Sequence, residues 1–267
     1  MNLDKRVVLI SGGGSGIGRA CAVTFARLGA RLLLVGRRAE ALVETAGLVK
    51  AAGGTSVAVA GDITVASVRQ EAIAAAEESF GGLDILINNA GIVVASRLQT
   101  MADTDIHRLI DVNLTAPIML TKVALPLLLR QNDAAVVNVS SGMGLIGLPF
   151  YSVYVATKAG IARFGESLRR ELGPGLHCLT VYPTGTETPM MATSRVGSAQ
   201  GVMLETPEIV AEAIVDGLRN DAIEVIRGGL PRHEMIRDNL EDPAAVDAHF
   251  RDLRNSFEMA TAGHRSV

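Results

Sequence analysis

Val7-Val8-Leu9-Ile10 runs directly into Ser11-Gly12-Gly13-Gly14-Ser15-Gly16-Ile17-Gly18, and that turn leads into a helical pattern from Arg19 to Leu28. A short run apolar at successive positions reads as a strand buried on both faces of a parallel sheet. Gly29 stops the helix, and a second apolar run, Arg31-Leu32-Leu33-Leu34-Val35, follows at the distance of a βαβ unit. Parallel neighbours need a crossover connection, so this stretch commits the chain to an α/β sheet. It also brings backbone N–H groups and a helix N-terminus to one point, which suits a pyrophosphate. A glycine run alone is weak evidence, because a flexible turn has the same composition.

The alternation continues. A helix is expected from about Ala39 to Ala52, a strand over Ser56–Ala60, and a helix from about Val65 to the Gly81-Gly82 stop. Asp84–Ile87 forms the next strand, closed by Asn88-Asn89-Ala90-Gly91. Asp103–Arg130 reads as helical with an interruption near Asn113–Pro117, and Ala134–Val139 as a strand. The helix from Ser152 to about Leu172 ends at Gly173-Pro174-Gly175; the strand His177–Tyr182 follows, with His177 structural. An irregular segment of about 184–205 is the expected substrate loop, because long loops in compact α/β domains are usually functional. A helix from Pro207, a strand over Ala222–Ile226 and a polar helical extension of about 231–267 complete the chain. In that extension Val246, Phe250, Leu253 and Phe257 form a stripe facing either the domain's own core or a partner subunit. The fold class is α/β: a single domain over 1–267, with a doubly wound parallel sheet and helices on both faces.

Composition bounds the partners. With 48% hydrophobic and 20% charged residues and a net charge of −3, the chain has no basic bias towards nucleic acid or membrane. Cys21 and Cys178 are too few and too far apart for a disulfide framework or a zinc site, and read as buried thiols in a reducing compartment. No metal is expected. The amino-terminal apolar run is too short for a signal or membrane-spanning segment, and the cytoplasm is the expected location.

The chemistry gathers at Tyr154 and Lys158. Four residues apart on a helix, they share one face, with the ammonium beside the phenol. Free tyrosine titrates near pH 10, so acid/base work at neutral pH calls for a downward shift of ~2–3 units, roughly 3–4 kcal/mol, which a neighbouring cation favours. Ser141, at the end of an apolar strand, offers a hydroxyl for the same substrate oxygen. Asn113 interrupts a helix and is a candidate proton-relay position, with a simple turn asparagine near Pro117 as the alternative. Asp62 follows the third strand and either accepts from an adenine amino group or caps the helix near Val65. Gly36-Arg37-Arg38 ends the second strand, where an acid would hold a free ribose 2′-hydroxyl and an arginine suits a 2′-phosphate; NADP(H) is therefore preferred, with NAD(H) the alternative.

Taken together, Gly12-x-x-x-Gly16-Ile17-Gly18, Asn88-Asn89-Ala90-Gly91, Asn113, and Ser141 with Tyr154-x-x-x-Lys158 resemble the classical short-chain dehydrogenase/reductase family over about residues 5–230. The resemblance implies a single NAD(P)-binding Rossmann domain with a sheet of about seven strands, and a catalytic tetrad of Asn113, Ser141, Tyr154 and Lys158: tyrosine as acid/base, serine holding the carbonyl oxygen, lysine lowering the tyrosine pKa and binding nicotinamide ribose, asparagine anchoring a relay water. It implies cofactor contacts from Gly12, Ser15, Gly16, Ile17, Gly18, Arg37, Asp62, Ile63, Asn89, Ala90, Gly91, Tyr154, Lys158, Pro183, Thr186 and Thr188. The usual Pro-Gly after the sixth strand is Pro183-Thr184 here, which costs backbone freedom and makes the carry-over to Thr186 less direct. Val93, Val94, Met143, Leu145, Phe150, Met190 and Met191 are expected on the substrate side, for an apolar or mixed carbonyl compound. The implied activity is NADP(H)-dependent interconversion of a ketone or aldehyde and an alcohol by a homodimer or homotetramer. A cofactor sensor without turnover, or a related isomerase, lyase or imine reductase, is the competing reading.

Overall fold

The computed structural model describes residues 1–195 and 204–266. Seven parallel strands form the sheet: β1 (Val7–Ser11), β2 (Arg31–Gly36), β3 (Thr55–Ala60), β4 (Ile85–Asn88), β6 (Ala134–Val139), β7 (Leu176–Tyr182) and β8 (Glu224–Ile226). Their order is β3-β2-β1-β4-β6-β7-β8. Ile10 of β1 stands opposite both Leu34 of β2 and Ile87 of β4. The chain winds outward from β1 to β3, then returns to β4 and winds the other way. The reversal between β1 and β4 opens a crevice above their carboxyl ends, where ligands of open α/β sheets bind.

Both faces of the sheet are covered. Val8, Ile10, Leu32, Leu34, Ile85 and Ile87 pack against α1 (Gly16–Arg27) and α7 (Pro207–Arg219). Their alternate neighbours Val7, Leu9, Leu33 and Leu86 pack on the opposite face with α3 (Ala66–Phe80) and α5 (Ala116–Leu128). This two-sided burial is why the strands are uniformly apolar rather than alternating. The remaining crossover helices are α2 (Ala39–Ala51) and α6 (Ser152–Leu172). Cys21 and Cys178 are buried free thiols.

The interrupted helix is continuous in space: α4 (Asp103–Ile110), a π-helical turn over Asp111–Thr115, then α5. The extra residue in the π turn rotates Asn113 inward, where it is 2% exposed. By length and composition Asp103–Leu128 would also pass for a membrane span; here Leu120, Ala124 and Leu128 are packed under the sheet.

Beyond the sheet come α8 (Gly229–Glu241) and α9 (Pro243–Thr261). Phe257 is buried against the domain and meets Phe250 edge-on at 5.9 Å, so this end of the apolar stripe covers the chain's own surface, while Val246, Phe250 and Leu253 stay half-buried. The tail then turns back as β9 (Arg265–Ser266), antiparallel to β5 (Val93–Val94), with Val93 opposite Ser266. This pairing was not part of the sequence expectation, because two residues leave no periodic signal.

Candidate active site

A cavity of about 600 Å³ runs above the strand ends from Arg37 and Asp62 at one end to Met190 and Arg232 at the other. Its first half is main chain. Helix α1 begins after Ser15, whose side chain makes no cap, so the first-turn N–H groups lack a side-chain acceptor. Gly18 does not line the cavity; it is a packing residue. A Cβ there would stand 2.2 Å from the Gly12 oxygen and 2.6 Å from Asn89 Nδ2, so only glycine lets α1 close onto the turn. Asn89 Nδ2 donates to the Ser11 oxygen at 2.9 Å, and Ser11 Oγ accepts from the Asn89 and Ala90 amides. Asn88 Nδ2 reaches Thr121 and Asn138 instead. The two asparagines at the strand end are thus held by protein groups, and Asn89 fixes the glycine turn.

Arg37 and Arg38 both border this end, with Arg38 Nη2 donating to Ser15 Oγ at 3.4 Å. Asp62 does not cap the next helix, whose N-cap Val65 receives no side-chain bond. Its Oδ1 accepts from the Thr64 amide at 2.9 Å and hydroxyl at 2.7 Å. Burial works to raise its pKa, but Thr64 and the charges of Arg37 and Arg108 together hold it below the ordinary value. Arg19, which sequence reasoning passed over, grips the Gly14 carbonyl at 2.7 Å from behind while pairing with Glu44.

At the centre, Ser141, Tyr154 and Lys158 converge. The Ser141 side chain accepts from the Met143 amide at 3.2 Å and stands near enough to Tyr154 to pull its pKa down. Its neighbour Ser140 donates to the Lys158 carbonyl at 2.7 Å, tying β6 to α6. Lys158 Nζ, buried, donates to the Val139 carbonyl at 3.0 Å and lies 5.8 Å from the Tyr154 ring centre. The expected downward shift of Tyr154 is not found in the free protein. Burial pushes its pKa up to about 12 against the pull of Ser141, and burial pushes Lys158 down to about 8. Desolvation outweighs the effect of Ser141, so the phenol is neutral and holds its proton.

Asn113 stands behind the cleft wall. Its Oδ1 accepts from the Ile92 amide at 2.8 Å, and its Nδ2 donates to the Ile92 carbonyl and to Thr157. It meets Lys158 across Gly91, where a Cβ would lie 3.3 Å from Asn113 Oδ1 and 3.4 Å from Lys158 Nζ. The side chain is fully engaged in holding the β4–β5 connection.

The far end is made of side chains. Val93, Met143, Met190 and Met191 line it as expected. Val94, Leu145 and Phe150 do not. Phe150 has φ 71, which turns its ring outward under Arg97 at 5.9 Å and into a separate surface groove. Tyr151 takes the inward place, 6.3 Å from the Tyr154 ring. Its hydroxyl lies 2.7 Å from His264 Nδ1, and His264 Nε2 lies 3.1 Å from the Met190 carbonyl. A carbonyl only accepts, so Nε2 carries the hydrogen and Tyr151 donates to Nδ1. His264, Ser266 and Arg232 come from the carboxyl-terminal extension, and only tertiary pairing brings them here; no local motif marks them.

The loop after β7 is pinned on the near side. Thr186 Oγ1 bonds the Thr184 carbonyl, and the Glu187 amide bonds the Glu205 carbonyl at 2.9 Å. Arg227 holds the Glu205 carboxylate with two hydrogen bonds. Pro183, Thr186 and Thr188 all border the cavity, while the 196–203 part of the substrate loop lies outside the described residues.

The sequence model described as short chain dehydrogenase matches residues 6–198. A ketoacyl reductase, HetN, of Nostoc sp. is 32% identical over 256 residues, covering 93% of this chain and 89% of the relative. Dehydrogenase/reductase SDR family member 7B of Bos taurus is 38% identical over 236 residues, 82% of this chain and 72% of the relative. A 3beta-hydroxysteroid dehydrogenase of Mediterraneibacter gnavus is 32% identical over 193 residues, 72% and 70% of the two chains.

Proposed function

Because the chain belongs to the short-chain dehydrogenase family and is an oxidoreductase of the Rossmann fold, we propose that it reduces a ketone or aldehyde with NADPH, Tyr154 acting as the acid. The observation that carries this reading is the meeting of the Ser141 hydroxyl, the Tyr154 phenol and the buried Lys158 ammonium in the middle of one cleft.

The cleft fits a dinucleotide. The uncapped start of α1 suits the pyrophosphate, Asp62 and Ile63 suit adenine, and Asn89 to Gly91 leave room beside the adenosine ribose. Arg37 at the end of β2, where Gly36-Arg37-Arg38 supplies no acidic residue, favours a 2′-phosphate and hence NADP(H). When bound, a reduced nicotinamide supplies the hydride that adds to the carbonyl carbon. Ser141 holds the carbonyl oxygen, and Tyr154 gives that oxygen its proton, leaving an alcohol. The phenolate left behind lies near the Lys158 charge, and recovers its proton from solvent. Asn113 holds the β4–β5 connection through Ile92 and ties it to α6 through Thr157, and the π turn that carries it is the place in this reading where a relay water would be held. The cytoplasm and a homodimer or homotetramer remain part of this reading.

The test is calorimetric titration with NADPH and NADH side by side, followed by absorbance at the reduced-nicotinamide band against a ketone panel. Tighter NADPH binding with oxidation by some ketones is the expected result. Preference for NADH overturns the role of Arg37, and binding without turnover on any carbonyl returns weight to a cofactor sensor.

A further inference from the structure

Arg232 lies in the first turn of α8, and its side chain folds back across Gly228 to rest against Gly142, the residue after Ser141. A Cβ on Gly142 would stand 3.1 Å from Arg232 Cζ, and one on Gly228 3.0 Å from Arg232 Cβ. Two glycines therefore clear the path that delivers this guanidinium to the cavity wall.

On the same flank, Arg227, Arg97 and Arg265 each hold a carboxylate: Glu205, Glu258 and Asp105. Arg232 is half-buried, yet among the described residues it has no carboxylate or hydrogen-bond partner. Residues 196–203 contain no aspartate or glutamate. Burial lowers its pKa with no acid acting the other way, although a guanidinium stays protonated at any ordinary pH. A desolvated cation without a partner is costly to keep. Among the described residues lining the cavity, Asp62 is the only acid, and it is engaged with Thr64 at the nucleotide end. The same cavity is also lined by the apolar side chains of Met143, Leu148, Met190 and Leu204.

We propose that Arg232 anchors the anionic group of the substrate, which is an oxo acid with an apolar body: its carboxylate pairs with the guanidinium while Ser141 and Tyr154 take its carbonyl oxygen. Consecutive Cα atoms are about 3.8 Å apart, so a guanidinium against Gly142 and a hydroxyl on Ser141 span only a few bonds of substrate. The planar fork of arginine matches a carboxylate with two hydrogen bonds. The oxo half of this assignment rests on the reductase reading; the anion site stands on the geometry of Arg232 alone.

The experiment uses heptanoate and heptanamide as turnover-free probes, titrated calorimetrically into the NADP⁺-saturated protein, and 2-oxoheptanoate with its methyl ester as substrates. Heptanoate is expected to bind at least ~10-fold more tightly than the amide, and Arg232→Gln to erase that difference, while Arg232→Lys keeps part of it. In Arg232→Gln the acid-over-ester ratio of kcat/KM is expected to fall by ~10–100-fold. Equal heptanoate affinity in wild type and Arg232→Gln, or no heptanoate binding to wild type, overturns the proposal. So does a loss of NADP⁺ affinity in Arg232→Gln with the acid-over-ester ratio unchanged, since Arg232 would then serve the cofactor. Heptanoate binding that depends on Arg232 without turnover of any carbonyl upholds the anion site and rejects the reductase reading.

Discussion

At its nucleotide end the cleft is walled by strand ends, a glycine turn and a helix N-terminus, all from residues 7–91 and locked by Asn89 and Arg19. At its substrate end it is walled by Met143, Met190, Arg232 and His264, long side chains from segments far apart in sequence. A main-chain wall has a fixed shape and tolerates almost no added atom, which suits a ligand that never changes. A side-chain wall can be re-cut by single substitutions, which suits a ligand that differs from one relative to the next. Tyr154, Ser141 and Lys158 sit at the join, where the fixed half meets the adjustable one.

The sharpest way to separate the halves is to remove the acid between them. Tyr154→Phe should lower kcat/KM by ~10³-fold or more while NADPH still binds, read by absorbance and calorimetry; substantial residual turnover would reject the proton-donor role. Next in size, Gly18→Val places atoms where Gly12 and Asn89 already stand. It should cost about 3 kcal/mol in urea unfolding and abolish nucleotide binding, whereas Met190→Ala at the other end should alter KM far more than stability.

Lys158 offers a third test. Its folded pKa, about 8, lies below its ordinary 10.5. Between those values the unfolded chain binds more protons, so stability rises with pH across that window and the full penalty is present below pH 8. At pH 7 this amounts to roughly 3 kcal/mol, offset by about 1 kcal/mol for the hydrogen bond to the Val139 carbonyl. Lys158→Met should therefore stabilise the cofactor-free protein by about 2 kcal/mol at pH 7 while destroying activity, and the gap in urea midpoints should close towards pH 10. A destabilised variant would mean that the ammonium is better solvated than its burial implies.

Smaller still, Arg37→Ala should weaken NADPH binding by ~10–30-fold and leave NADH nearly unchanged, measured by calorimetry. The smallest effect belongs to His264, whose pKa is lowered by burial against the pull of the Met190 carbonyl. Its stabilising contribution is complete above about pH 6.5 and is lost as pH falls below that, when a proton on Nδ1 would displace the Tyr151 donor. Substrate KM should rise a few-fold between pH 7 and pH 5.5, and His264→Gln should flatten that profile.

The nucleotide half was largely legible in the sequence. Uniform apolar strands, the glycine turn and Tyr154-x-x-x-Lys158 follow from local rules, and the structure puts Ser141, Tyr154 and Lys158 together. Three local expectations were overruled by tertiary context. Gly18 packs against Gly12 instead of lining the cleft, Phe150 is turned outward by its left-handed backbone, and burial raises the Tyr154 pKa where a cation four residues away suggested the opposite. The substrate half was scarcely legible beyond its methionines. Arg232 and His264 lie in a polar helical extension with no motif of its own, and they reach the cleft through contacts made between residues more than 70 apart in sequence.

The closing strand β9 has one further consequence. It is held by two residue pairs with β5, the Arg265–Asp105 ion pair at 2.5 Å, contacts with Thr193 and the His264 bridge, against seven interlocked strands elsewhere. Segments with so few backbone pairs open at a small fraction of the free energy of global unfolding. Because His264 and Ser266 line the cavity, opening of this strand would loosen the substrate end while the seven-stranded sheet stays folded.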